Sequence, residues 1–228
     1  MSDCVQSQTS LFGISTVTGH YVIGRVPMRP GINLYACRLR SISTTRYNVV
    51  APVIPTIGES VTANLGPFGT LSGKVEQNTE DGFVVAISAG ATRQEALASQ
   101  ISEFRNRSWS GLRERRGDRR FLAHEPRSMM ARPDGWAQPC LIIDYSASGV
   151  AISAGYQPEV GEVVTIGKIT GSVVRIFDAG FAVHFFERQD AASVESLLGA
   201  PQEWREAARL SATGPYDPVQ PVLVGTET

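Results

Sequence analysis

Cysteine, histidine and lysine are all scarce in this chain, and each scarcity removes a class of function. The three cysteines, Cys4, Cys37 and Cys140, stand far apart, whereas disulfide frameworks and zinc sites need clustered pairs. The chain therefore reads as reduced and cytoplasmic. The three histidines, His20, His124 and His184, fall in no metal-ligand spacing, so no metal site is expected. Gly-x-Ser-x-Gly elbows, glycine-rich phosphate loops and paired carboxylates spaced for acid–base work are missing as well. No catalytic residue is assigned, and the protein is not expected to be an enzyme. No apolar run reaches the roughly 18 residues of a membrane helix, and the N-terminus lacks the basic start and apolar core of a signal peptide. Lys74 and Lys168 are the only lysines among 21 basic residues, so cationic chemistry falls to arginine, whose planar fork suits bidentate contact with phosphate and guanine.

What is present is ordinary in bulk and uneven in detail. With 228 residues, 42% hydrophobic and 19% charged, the chain can bury one large core or two smaller ones. The formal net charge of -1 sets up no global attraction to nucleic acid or to an anionic membrane. Locally the balance differs, because Arg105 to Arg120 holds seven arginines against Glu114 and Asp118, a window charge of +5.

Between Leu11 and Ile87 the chain carries short runs rich in Val, Ile and Tyr (YVIGRV, LYACRL, YNVVAPV, SVTANL, GTLSGKVE, GFVVAI), broken by Gly, Pro and Asn turns. Strands at this spacing indicate a small barrel or sandwich. A helix follows, with Thr92 as its cap and Ala96, Leu97, Ile101 and Phe104 at helical spacing, running to about Arg105. The same succession recurs after the arginines, with strands at FLAHEPRSMMA, WAQPCLIID, VAISA, EVVTIG, GSVVRIF and GFAVHFF and helical segments at about 190 to 199 and 201 to 210.

The two passes match residue by residue. Cys37 corresponds to Cys140, Ser41 to Asp144, Ser43 to Ser146 and Gly58-Glu59 to Gly161-Glu162 at an offset of 103, and Gly73 to Gly171 and Gly82-Phe83 to Gly180-Phe181 at an offset of 98. One five-residue gap in a loop reconciles them. The expected organisation is thus a mainly β protein of two tandem barrels, each followed by a helix: a flexible N-terminus (1–10), a first barrel plus helix (11–105), an arginine-rich linker (106–118), a second barrel plus C-terminal helices (119–210) and a flexible tail (211–228).

The copies differ where ligand chemistry would reside. DYSASG, from Asp144 to Gly149, has Ser41 and Arg46 in place of its Asp and its last Gly in the first copy. No arginine cluster stands at the matching distance before Ser41. RVPMR (Arg25 to Arg29) has the right internal spacing but lies only 12 residues upstream, against 24 from Arg120 to Asp144. On its own, DYSASG can be an Asx-turn whose oxygens satisfy local amides, and a charge run can be a solvated linker.

Taken together, the motifs make the second copy resemble the PilZ family, receptors for the bacterial second messenger cyclic di-GMP. That family carries Arg-x-x-x-Arg before a six-stranded barrel and Asp/Asn-x-Ser-x-x-Gly at a strand end. The first motif is met twice, as Arg115 with Arg119 and as Arg116 with Arg120, the latter preferred because Phe121-Leu122 starts a strand directly after it. The resemblance covers about 112 to 187, with a degenerate copy over roughly 11 to 90. It implies a cyclic di-GMP site formed by Arg115, Arg116, Arg119, Arg120, Asp144, Ser146 and Gly149, with no cofactor besides the ligand. It also implies an unidentified protein partner in motility, polysaccharide or biofilm control. The residue types suit such a ligand. Arginine meets the O6/N7 edge of guanine bidentately or stacks on a base, Asp144 accepts from guanine N–H groups, Ser146 adds a donor and an acceptor, and Gly149 permits close approach. Pinning five linker residues costs about 5 to 10 kcal/mol, which several bidentate contacts of about 1 to 3 kcal/mol each offset. Binding is therefore expected to order the segment around 113 to 120 and to reorient the two barrels. The competing reading is a protein-interaction or nucleic-acid-binding module that does not take the dinucleotide; near-zero net charge makes nucleic acid the weaker partner.

Overall fold

The computed structural model of the chain describes residues 14–24, 34–106 and 120–200. Both chain ends, the RVPMR stretch, residues 107–118 of the expected linker and the helical segment expected at 201–210 lie outside the described residues. The architecture is mainly β, with two closed six-stranded antiparallel barrels, each followed by a helix. The first is built from β1 (Thr18–Ile23), β2 (Leu34–Ile42), β3 (Arg46–Val50), β4 (Ser60–Asn64), β5 (Thr70–Thr79) and β6 (Gly82–Ile87), with α1 (Ala91–Asn106) after it. The second uses β7 (Arg127–Ala131), β8 (Ala137–Ser146), β9 (Gly149–Ala154), β10 (Val163–Ile166), β11 (Ile169–Phe177) and β12 (Gly180–Phe185), with α2 (Val194–Leu198). Round the first barrel the order is β1-β2-β3-β6-β5-β4, and round the second β7-β8-β9-β12-β11-β10, so the two run through the same circuit.

Strand formation follows period-two patterning. In β5, Leu71, Gly73 and Val75 are buried between exposed Thr70, Ser72 and Lys74, which is the signature of a strand with one face on a core. Closure leaves no open sheet edge. The first interior is filled by Tyr21, Leu39, Tyr47, Val49, Phe83 and Val85. The helix α1 covers it through Leu97 and through Phe104, whose ring lies 5.3 Å from that of Phe68. Fully burying a side chain such as Leu97 contributes about 1.5 to 3 kcal/mol. The second interior holds Met130, Cys140, Ile152, Val164, Phe181 and Phe185, closed by Val194 and Leu198 of α2. That helix docks where Lys168 N–H donates to Leu197 O at 2.8 Å. Gly167 sits there at a φ of 60°, and a Cβ on it would stand 2.5 Å from the Leu197 carbonyl oxygen.

Both barrels interrupt their ladders at corresponding places. The register shifts between Leu39 and Ser41 in β2 and between Ile142 and Asp144 in β8, and again between Val75 and Gln77 in β5 and between Val173 and Arg175 in β11. These pairs fall at the two offsets read from the sequence.

Three sequence expectations need correction. FLAHEPRSMMA is not one strand: Phe121 forms a single antiparallel bridge with Tyr145, and β7 resumes only at Arg127. Between them, the Ala123 carbonyl and the His124 N–H bond outside any ladder, and Pro126 has no N–H to offer. Thr92 is not the cap of α1; the helix starts at Ala91, and the Gly90 carbonyl receives Arg93 N–H and Gln94 N–H at 3.0 and 3.1 Å. The helix expected over 190 to 199 is only Val194–Leu198. Asp190 forms a turn ahead of it, its carboxylate taking Ala192 N–H at 3.2 Å and its carbonyl Val194 N–H at 3.0 Å.

The barrels also touch directly, through the outward faces of β2 and β8. Ala36, Val50 and Leu141 are buried together, with Ile143 and Ala179 packed against them. Ala36 N–H donates to Ser153 Oγ at 3.0 Å, and Arg127 Nη1 donates to Ala51 O at 3.0 Å.

Candidate ligand site on the outer face of the second barrel

The irregularity in β8 decides what Asp144 can do. Up to it, Cys140 and Ile142 point into the core; beyond it, Tyr145 does. The parity of inward positions thus changes from even to odd across Ile143, as an extra residue in one strand requires. Asp144 and Ser146 are left on the outer face. With unbroken alternation Asp144 would have been the next inward residue after Ile142. The first barrel makes the same change, from Cys37 and Leu39 to Ile42.

Arg120 arrives beside Asp144 through the Phe121 bridge. Phe121 N–H donates to Tyr145 O at 2.8 Å, Tyr145 N–H donates to Phe121 O at 2.9 Å, and their rings stack with centroids 5.7 Å apart. Phe121 packs on the core, so its neighbour Arg120 faces outward. Arg120 Nη1 donates to Asp144 Oδ1 at 2.7 Å and to Oδ2 at 3.0 Å, with both side chains about one-third exposed or less, at 33% and 27%.

Ser146 closes the turn. Its Oγ lies 3.4 Å from Gly149 O, as a donor, and 3.4 Å from Ser148 N, as an acceptor. The turn is tied to the neighbouring segment by Phe185 N–H to Ser148 O at 2.9 Å and Gln189 N–H to Ala147 O at 2.8 Å. Gly149 is required by packing: a Cβ there would lie 2.5 Å from Val183 O on the adjacent strand. Next to these residues the outer face is low. Asp144 pairs with Ala151, Ala151 with Ala182 and Ala182 with Arg175; Ser146 pairs with Gly149 and Gly149 with His184. Paired residues share a face, so the small residues Gly149, Ala151 and Ala182 separate the Arg120–Asp144 pair from the exposed Arg175 and His184, with Ala151 itself buried at 5% exposure. Arg175 lies with its guanidinium carbon 5.6 Å from the Phe177 ring centre.

A network behind the bridge escaped the sequence reading. Tyr145 Oη donates to Glu195 Oε2 at 2.8 Å, and His124 N–H donates to Glu195 Oε1. Burial, together with the bond to Glu195 and its charge, pushes the Tyr145 hydroxyl up to about 12. Partial burial works to raise the Glu195 carboxyl, but the His124 N–H, the Tyr145 hydroxyl and the His124 ring together hold it below the ordinary value. Nothing in the local sequence joins Tyr145 to Glu195, 50 residues apart.

Of the seven expected site residues, Arg120, Asp144, Ser146 and Gly149 come together on one face, and Arg115, Arg116 and Arg119 lie outside the described residues. The matching face of the first barrel is built differently. Ser41 stands where Asp144 does, and Ser43 Oγ accepts Arg46 N–H at 3.1 Å in the same kind of turn. Arg46, in place of Gly149, extends a long side chain to within 3.9 Å of Glu76. Among the described residues no three His, Cys, Asp or Glu side chains converge as a metal site, and no helix is long and apolar enough to cross a membrane.

No family model and no curated protein matches the chain. Among solved structures it is similar to the Borreliella burgdorferi PlzA protein in complex with c-di-GMP, at 13% identity and a TM-score of 0.25, covering 84% of this chain and 90% of that one. It is also similar to the Bacillus subtilis inhibitor of motility MotI/DgrA, at 13% identity and a TM-score of 0.27 over 85% and 96% of the two chains. A third is Escherichia coli YcgR in complex with c-di-GMP, at 12% identity and a TM-score of 0.24 over 88% of each. At scores this low the likeness says nothing about function, which has to rest on the chemistry of the site.

Proposed function

We propose that the chain is a PilZ-like receptor that binds cyclic di-GMP on the outer face of its second barrel. The first barrel serves as a contact domain, and the chain relays the signal to a protein partner without catalysing a reaction. The observation that carries this reading is the Arg120–Asp144 pair turned outward beside a floor of Gly149, Ala151 and Ala182. A planar guanine needs such a low floor, an acceptor for its N–H donors and a guanidinium for its O6/N7 edge or the adjoining phosphate. Asp144 and Arg120 supply both. In the absence of ligand they satisfy each other, and a part-exposed ion pair contributes only about 0 to 1 kcal/mol. Exchanging it for ligand contacts therefore costs little. Arg115, Arg116 and Arg119 would add further forks from the segment just upstream, and the register 116/120 keeps Arg120 as its last member.

The test is calorimetric titration of cyclic di-GMP into wild type, Arg116→Ala and Asp144→Ala. Heat is expected in the wild type, with each substitution weakening binding by roughly 5- to 150-fold, the equivalent of one lost contact of about 1 to 3 kcal/mol. No heat in the wild type overturns the reading, whereas equal binding in all three keeps the ligand and discards the site. Salt dependence separates the competing module, because duplex or single-stranded nucleic acid would dissociate steeply as salt rises.

A further inference from the structure

Arg38, on the outward side of β2 in the first barrel, is 4% exposed, yet it belongs to no motif. Its Nη1 donates to Ala123 O, and its Nη2 to Ile142 O at 3.2 Å and Ile143 O at 3.4 Å. All three carbonyls belong to the second barrel, and they sit on the two segments that the Phe121–Tyr145 bridge joins. Ala123 lies three residues beyond Arg120, and Ile143 is the extra residue of the β8 irregularity, directly before Asp144. We infer that Arg38 is a positioning residue of the ligand site, a cross-brace from the first barrel that fixes the spacing of Arg120 and Asp144. The identity of the ligand rests on the proposed cyclic di-GMP reading; the brace itself does not.

Three physical points support the assignment. An extra residue in a strand is left out of the ladder, so the carbonyl of Ile143 gains a donor it would otherwise lack. A guanidinium withdrawn from water is tolerated only where hydrogen bonds replace its hydration, and with the Arg38 Nε unpartnered these carbonyls supply them. Packing alone does not call for a cation, because the corresponding residue of the second barrel, Leu141, is buried in the same contact. Burial pushes the Arg38 guanidinium below its usual range, and the Glu195 carboxylate, already bonded to Tyr145 and His124, offsets this only in part. By linkage, a first barrel that tightens the site must itself be held more firmly when the site is filled.

Two measurements on the full chain test the inference. One is ligand-free hydrogen exchange at the Phe121 and Tyr145 amides; the other is cyclic di-GMP titration. Arg38→Met is expected to speed exchange at both amides and to weaken binding about tenfold. Arg38→Lys, which keeps the charge without the fork, should be intermediate, and it stands in if the methionine variant does not fold. Ser153→Ala removes a different inter-barrel bond and should change neither quantity by more than about twofold. Wild-type exchange and affinity in the Arg38 variants overturn the inference, as does an equal loss in Ser153→Ala, which would mean that any loosening of the joint suffices. If the wild type gives no heat, the cyclic di-GMP reading fails on its own, and the exchange data alone decide the brace: faster exchange in the Arg38 variants upholds it, unchanged exchange removes it.

Discussion

Asp144 and Gly149 belong to one short motif, but they answer to different forces. Asp144 is partly exposed and bonded to Arg120, so its removal should cost little stability while removing an acceptor from the proposed site. Gly149 lies against backbone, with Val183 O where a Cβ would clash. Gly149→Ala is therefore expected to destabilise the second barrel by about 1 to 3 kcal/mol, as overpacking does. For a domain of this size that lowers the midpoint of its thermal transition by roughly 4 to 8 °C per kcal/mol. Scanning calorimetry of Gly149→Ala beside Asp144→Ala checks the contrast: a melting temperature equal to wild type in Gly149→Ala would remove the packing role.

At the level of elements, the second barrel depends on a strand irregularity and on a helix only five residues long. Val194 and Leu198 of α2 bury themselves in the core, while Glu195 on the same helix gathers Tyr145 and His124. Because its carboxyl is held below the ordinary value of 4.5 in the folded protein, Glu195 contributes stability that is present above that value. The contribution is lost as pH falls through the lower folded value. Denaturant unfolding of Glu195→Gln should therefore show reduced stability at neutral pH and a difference from wild type that shrinks below about pH 4.5. A difference that grew on acidification would contradict the sign. Deleting Ile143 is a sharper probe. Without the extra residue, Ile142, Asp144 and Tyr145 alternate inward, outward and inward with no interruption. Circular dichroism should therefore keep the native spectrum, and loss of native structure would remove the assignment of Ile143 as the extra residue.

Across the whole molecule, the two barrels meet through the face of β2 in one and β8 in the other. A ligand-driven change in their relative orientation would have to pivot about the Arg38 contacts, which lie next to the proposed site and which binding holds more firmly. The expectation is that saturating cyclic di-GMP changes the small-angle scattering profile and lowers hydrogen exchange over 105 to 120. An unchanged profile with unchanged exchange would exclude the reorientation.

Much of this was legible in the chain itself. Strand periods, turn glycines and the two offsets foretold two barrels with a helix after each, because strand patterning is a local property that repeats with the fold. Asp144, Ser146, Gly149 and Arg120 were legible as a group because a motif preserves spacing along the chain. What the sequence could not reveal was set by distance and closure. Arg38 and Arg40 look alike in LYACRLRSI, yet Arg38 is buried against carbonyls 85 to 105 residues away and Arg40 pairs at the surface with Asp81. FLAHEPRSMMA reads as one strand, yet Ala123 and His124 find partners in Arg38 and Glu195 instead of a ladder. The outward turn of Asp144 itself depends on one irregular residue in β8, and only a closed barrel, in which the partners on either side are already fixed, decides where that residue falls.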